Sequence, residues 1–454
     1  GPALASKAHD PSKSRVAVGM KTWADDHTMT QNLTEVNARA GTDNSVGDPT
    51  SKHVQDPFQL TSPAYWAKAI DALFFHNSLN LLMLCFPVAL YTQQNGYSEG
   101  IVFFTSLFAI APFAERLSFV TEQLALHTSE ALGGLLNATF GNVTELIVSF
   151  FALRAGLLRI VQVSLLGSIL SNLLLVLGCA FFAGGIRHKH QHFNSHGSAV
   201  NVGLLMLSVM SLLFPMLLES SHQVLAEGAV LAVSRSVSCL LLILYACYIY
   251  FQMHTHAHLY EAGDEERGLT KSVEGEEDGE DEENEEEAVL GVAGAIIWLT
   301  VITVVIALLS EYMVDALEGA AEGWGVPDLF LGTIIIPIVG NAAEHAAAII
   351  FAVKNKMELA IGIAVGSSIQ IALFCVPVLV LSAWFLDTPL SLNFQPFETG
   401  VLLVTIILVG FTILNGESSW LIGVMLVVAY CSLSAAFFVH VDPPEVLERY
   451  VIAG

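Results

Sequence analysis

Between Phe74 and His440 the chain returns repeatedly to apolar runs of roughly 20 residues, each long enough to cross a bilayer core as an α-helix. A soluble enzyme would interrupt such runs with charged faces, whereas here 54% of residues are hydrophobic and 13% charged. Strict alternation of apolar and polar residues is absent, which argues against a closed β-barrel. The expected fold is therefore an all-α polytopic membrane protein. The runs predict about eleven transmembrane helices, at 73–92, 99–116, 129–153, 159–183, 198–219, 229–252, 288–311, 327–353, 357–383, 397–414 and 417–439.

Two of these runs carry the same motif. Gly141-Asn142-Val143-Thr144-Glu145 recurs as Gly340-Asn341-Ala342-Ala343-Glu344, and Gly167-Ser168 recurs at the same spacing of 199 residues as Gly366-Ser367. Two motifs in one register mark an internal duplication. The reading is one unpaired N-terminal helix (69–95), a first five-helix repeat (96–255), an acidic linker (256–287) and a second five-helix repeat (288–440). Polar tails flank these at 1–68 and 441–454. The motif spans are the third and the eighth, separated by an odd number of crossings, so the repeats are expected to be inverted. That is the arrangement of secondary transporters with a site near the midplane and alternating access.

A carboxylate at membrane depth costs about 3 kcal/mol on insertion scales and is usually retained for function. Glu145 and Glu344 meeting at a pseudo-two-fold axis would supply two negative charges, enough to match one divalent cation. Gly141 and Gly340 loosen their helices so that carbonyls can turn inward, and Asn142 and Asn341 add amide oxygens. An all-oxygen set suits Ca²⁺, with Mn²⁺ as the alternative. Pro337 removes a backbone donor just ahead of the second copy.

Ser168, Ser171, Ser367 and Gln370 form a second layer, with Ser171 and Gln370 at matching positions; they either pack helices or line the ion path. Glu122 and Glu311 precede the two motifs and are candidates for proton relay or cation attraction, or else solvated helix ends. His345 follows Glu344 directly and either is a satisfied interior residue or takes part in proton coupling.

Lys68, Arg116, Arg187, Lys189, Lys354 and Lys356 fall on one side if the N-terminus is cytosolic, which sets the expected orientation; Arg154 and Arg159 dissent. The formal charge of -25 is concentrated in the linker: residues 261–287 hold 15 acids against Arg267 and Lys271, which makes nucleic acid an unsuitable partner. Glu276, Glu277, Asp278, Glu280, Asp281, Glu282 and Glu283 form its densest part. They read either as a solvated connection or as a regulatory segment that binds cytosolic Ca²⁺. The six cysteines lack metal-ligand spacing and are expected to be small buried hydrophobes. No apolar signal segment occurs in the first sixty residues, and the opening Gly1-Pro2 reads as a processed or engineered end. No cofactor is expected, and nothing speaks to oligomeric state.

The stretches 135–142 (LLNATFGN), 166–172 (LGSILSN) and 338–345 (IVGNAAEH) resemble the calcium/proton exchanger (CAX) family, a branch of the cation/calcium exchanger superfamily, and in particular its vacuolar eukaryotic members. The resemblance spans nearly all of 70–440. It implies eleven helices, an acidic cytosolic segment after the sixth, and export of cytosolic Ca²⁺ into an acidic vacuole in exchange for H⁺. Sodium/calcium exchangers share the architecture, but their Gly-Ser/Thr-Ser-x-Pro-Glu/Asp motif is absent at both positions. The competing readings are a sodium/calcium-type exchanger or a calcium-regulated cation channel. An enzyme is disfavoured because the spans show no nucleophile and base.

Overall fold

The computed structural model describes residues 62–75, 78–128, 130–220, 228–257 and 289–442. The acidic stretch from Glu276 to Glu283, most of the N-terminal tail and the end of the C-terminal tail lie outside the described residues. Fifteen helical segments organise the remainder. They are α1 Pro63–Phe74, α2 Cys85–Gln94, α3 Glu99–Ala125, α4 Glu130–Phe140, α5 Val143–Arg154, α6 Leu158–Arg187, α7 Ser195–Ser220, α8 Ala229–Thr255, α9 Val292–Asp315, α10 Leu317–Trp324, α11 Asp328–Gly340, α12 Ala342–Val353, α13 Met357–Phe385, α14 Pro396–Ile413 and α15 Trp420–Val439. Two short strands, Gln191–His192 and Glu417–Ser418, pair antiparallel.

Eight of these helices are long and apolar enough to cross a membrane, or up to ten spans if bent pairs are joined. The count of eleven is thus not reproduced by length alone, and the differences have a pattern. Each of the eight matches an expected span, while the other three expected spans are broken. The run at 73–92 is divided between α1, a 3₁₀ turn at Ser78–Leu84 and α2, with α1 starting at Pro63, inside the stretch assigned to the polar tail. The runs at 129–153 and 327–353 are the two that carry the motif. They are cut into α4 plus α5, and α11 plus α12, at Asn142 and Asn341. The glycine ahead of each asparagine weakens the helix interior there, because Gly carries a large backbone entropy.

The duplication is visible in the elements themselves. Helices α5 and α12 have both ends at the 199-residue spacing, and α6 and α13 begin at it. Each long helix after the motif contains a π-turn, Ser171–Val176 in α6 and Ile371–Cys375 in α13. Packing between the halves is reciprocal: α8 lies on the C-terminal part of α13, and α15 on that of α6, while α3 packs along α9. Gly423 of α15 sits where an added Cβ would meet the backbone of Gly178 and Phe182, so the α6–α15 contact is a close backbone approach that suits packing within a membrane.

The cysteines correct one expectation. All six are free, but of these only Cys375 is fully buried, and Cys239, Cys247 and Cys431 face outward. In a chain surrounded by lipid the exterior is also apolar, so a small hydrophobe gains nothing by facing inward.

Candidate ion site between the two motif breaks

Each motif glutamate stands in the first turn of the helix that restarts after the break, Glu145 in α5 and Glu344 in α12. The N-terminal end of a helix stabilises negative charge there. Glu344 has a buried oxygen, Oε2, with no hydrogen-bond partner. Buried polar atoms are nearly always paired, so an unpaired carboxylate oxygen suits a cation.

The asparagines do not cap their own helices. Their side chains cross to the other half instead. Asn142 Nδ2 donates to Gln370 Oε1 at 2.5 Å, and Asn341 Nδ2 donates to the Ser168 carbonyl at 3.3 Å. Both leave the amide oxygen Oδ1 buried and unpartnered, so each asparagine is anchored through its nitrogen with its oxygen in reserve. Glu344 Oε2 and these two amide oxygens are hard donors that the described residues leave unpaired. Cys375 contributes a weak Sγ contact to the Asn142 carbonyl at 3.9 Å.

Two cavities are lined by motif residues. The larger, about 480 Å³, is lined by Glu344, Ser367 and Gln370 of the second half and by Gly141 and Glu122 of the first. The smaller, about 20 Å³, is lined by Glu145 and Ser168 of the first half and Gly340 of the second. The pieces are thus crossed: each cavity combines the glutamate of one half with the glycine of the other. Ser171 is fully buried and lines neither. Glu311 is exposed on α9 and also lines neither, so the structure brings Glu122 to the site and leaves Glu311 away from it. His345 is half-buried, and its Nδ1 bonds the Asn341 carbonyl at 2.9 Å, which ties the ring to the break rather than to the neighbouring carboxylate.

The large cavity also contains residues that the sequence reading passed over: Glu358, Asn194, Asn201 and Gln252. Glu358 lies near Lys354 and Lys356 in sequence and so resembles an ordinary loop charge. Its only signal is register, since it stands 199 residues after Arg159.

Comparison with known proteins places this architecture. The sequence profile described as sodium/calcium exchanger protein matches residues 99–254 and 294–439, the two stretches on either side of the acidic linker. Vacuolar cation/proton exchanger 2 of Arabidopsis thaliana is 48% identical over 380 residues, covering 83% of this chain and 84% of that protein. The chain belongs to the vacuolar cation/proton exchanger (CAX) family. Vacuolar cation/proton exchanger 3 of Oryza sativa subsp. japonica is 45% identical to this exchanger over 83% of its length and 89% of the rice protein. Among solved structures, the Ca²⁺/H⁺ antiporter protein YfkE is 34% identical, with a TM-score of 0.65 over 79% of the exchanger and 98% of YfkE. The H⁺/Ca²⁺ exchanger CAX, at 15% identity and a TM-score of 0.58, shares the fold.

Proposed function

We propose that the protein is a secondary antiporter that moves cytosolic Ca²⁺ into an acidic vacuolar lumen in exchange for H⁺, using one site formed by Glu145 and Glu344. The observation that carries this reading is the pair of carboxylates, each in the first turn of a helix that restarts at a break, together with the buried, unpaired oxygens of Glu344, Asn142 and Asn341. Two negative charges balance one divalent cation, and the same oxygens accept protons when the cation leaves. Cation and protons therefore compete for one set of carboxylates. In neutral cytosol the ionised pair captures Ca²⁺. When the site turns to an acidic lumen, protonation cancels the ligand charge and the ion departs. The protonated site, now neutral, returns and releases its protons to the cytosol.

The alternating-access part of the proposal draws on the matched elements and the crossed cavities. With eleven spans and a cytosolic N-terminus, the halves are inverted and the large cavity opens to the cytosol. Its lining residues Phe193, Asn194 and Glu358 adjoin the loops that carry Arg187, Lys189, Lys354 and Lys356, and Gln252 precedes the acidic linker. The linker would then leave and rejoin the bundle on the face from which Ca²⁺ arrives, where a Ca²⁺-binding segment could regulate transport.

The test is uptake of radiolabelled Ca²⁺ into proteoliposomes under an imposed pH gradient, with Na⁺ and Mn²⁺ as competitors and proton efflux read in parallel. Uptake that requires the pH gradient and releases protons supports the reading. Ca²⁺ flux that ignores pH points to a channel, and flux driven by Na⁺ points to a sodium/calcium-type exchanger.

A further inference from the structure

The space beside Glu145 is confined to about 20 Å³, and α6, which lines it, begins in a buried ionic network. Arg159, the second residue of α6, has a side chain only 7% exposed. Its Nε and Nη2 donate to the two oxygens of Asp442 at 2.7 and 3.0 Å, and its Nη1 donates to Gln162 at 2.8 Å and to Glu398 Oε2 at 3.3 Å. Nη2 also pairs with Glu398 Oε1. Glu398 is fully buried in the first turn of α14, and its Oε2 accepts the Gln395 N–H at 3.1 Å. Gln162 extends the network by donating to the Ser391 carbonyl at 2.9 Å. The start of α6 is therefore fastened to the loop before α14, to α14 itself and to the segment after α15. Glu398, Asp442 and His440 have donor atoms spaced for a metal ion, but the guanidinium already bridges both carboxylates. An arginine fork satisfied on two sides is an ion-pair clasp, not a metal site.

The duplication gives this clasp its meaning. At the spacing of 199 residues Arg159 corresponds to Glu358, and both are the second residue of their helix. Glu358 lines the open cavity. The same helical position thus carries an acid at the open mouth and a pinned guanidinium on the closed side. Helix α6 also supplies Ser164 and Ser168 to the small cavity at Glu145, so what holds the start of α6 bears on the space beside that carboxylate.

We infer that Arg159 is a positioning residue that keeps the Glu145 side of the site shut, and that the Arg159–Glu398–Asp442 clasp parts when the site turns to that side. This rests on the alternating-access reading above.

The experiment uses the full-length exchanger in proteoliposomes of defined orientation, with Ser164→Cys placed in the small cavity. A membrane-impermeant maleimide is applied on the side opposite the large cavity, and labelling is measured against the same protein without the added cysteine. The outward-open form of a two-state carrier is commonly a minor population of roughly 0.1–10%, so releasing the clasp should raise the labelling rate about tenfold. Arg159→Gln strands two buried carboxylates and risks misfolding. The triple variant Arg159→Met/Glu398→Gln/Asp442→Asn removes all three charges together and should show the same rise. Glu358→Gln should leave labelling on that side unchanged. A folded triple variant that labels at the parental rate overturns the clasp, as does an equal rise in Glu358→Gln. If the parent protein moves no Ca²⁺ against a pH gradient, the antiport reading falls, and the inference with it; if the parent transports and the triple variant labels normally, only the clasp falls.

Discussion

Around Glu344 the protein holds a cavity of about 480 Å³, whereas around Glu145, the same motif position 199 residues earlier, the space is about 20 Å³. The difference continues outward. An added Cβ on Gly366 would meet nothing within 4 Å, while one on its counterpart Gly167 would run into the Thr333 carbonyl and the Pro337 ring. Asn142 reaches a side chain, Gln370, and Asn341 reaches a backbone carbonyl, that of Ser168. Duplicated sequence has thus been placed in two unlike environments. The lesson is that the motif specifies a break with a carboxylate after it, and the packing around each copy specifies how much space lies beside that carboxylate.

The strongest way to break this comparison is to neutralise one carboxylate at a time. Glu145→Gln and Glu344→Gln should each reduce pH-driven Ca²⁺ uptake by about a hundredfold or more, because removing one member of a buried charge set costs about 2–5 kcal/mol. Radiolabelled uptake in liposomes measures it, and full activity in either variant would remove that carboxylate from the site.

The glycines sharpen the contrast next. Gly167→Ala should cost about 1–3 kcal/mol through overpacking against α11, visible as a lowered melting temperature in detergent, while Gly366→Ala should be within about 0.5 kcal/mol of the parent. Equal losses would mean that the two sides are not packed differently.

A smaller effect is expected at the asparagines. Asn142→Ala removes the hydrogen bond to Gln370 and should weaken apparent Ca²⁺ affinity about tenfold, the equivalent of about 1.4 kcal/mol. Asn341→Ala loses a longer bond and should weaken it less; the reverse order, read from uptake against Ca²⁺ concentration, would contradict the assigned geometry.

The smallest effect belongs to the mouth. Glu358→Gln should slow uptake by roughly two- to fivefold at low ionic strength and hardly at all at high salt, since a charge at an open mouth acts through a screened field. Initial rates at two salt concentrations decide this, and a salt-independent loss would place Glu358 in the binding step itself.

Much of this molecule was legible because membrane depth makes sequence unusually informative. Eight expected spans recur as long apolar helices, whereas the two motif runs, expected as continuous spans, divide at Asn142 and Asn341, and Pro337, where a break was expected, lies inside α11. Glu122 and Glu311, by contrast, looked equivalent from their positions before the motifs, and only Glu122 reaches the cavity. Local spacing says that an acid lies near a helix end, but not which way that end faces.

Arg159 shows the same limit from the other side. As a loop cation it weighed against the orientation read from lysines and arginines, yet its charge is taken up by Glu398 and Asp442, 239 and 283 residues away. No pattern in a window of residues reveals a partner at that distance.

By itself, the sequence determined that this chain lives in a membrane and that Glu145 and Glu344 stand at the same position of a repeated motif. The reason is that a bilayer tolerates neither unpaired backbone nor idle charge, so apolar length and buried carboxylates are readable directly. Only the tertiary structure decided that Glu344 lines the large cavity and Glu145 the small one, and that Arg159 is pinned at the start of the helix lining the small one. Those outcomes depend on how the halves pack against each other, and packing between residues hundreds of positions apart leaves no local trace.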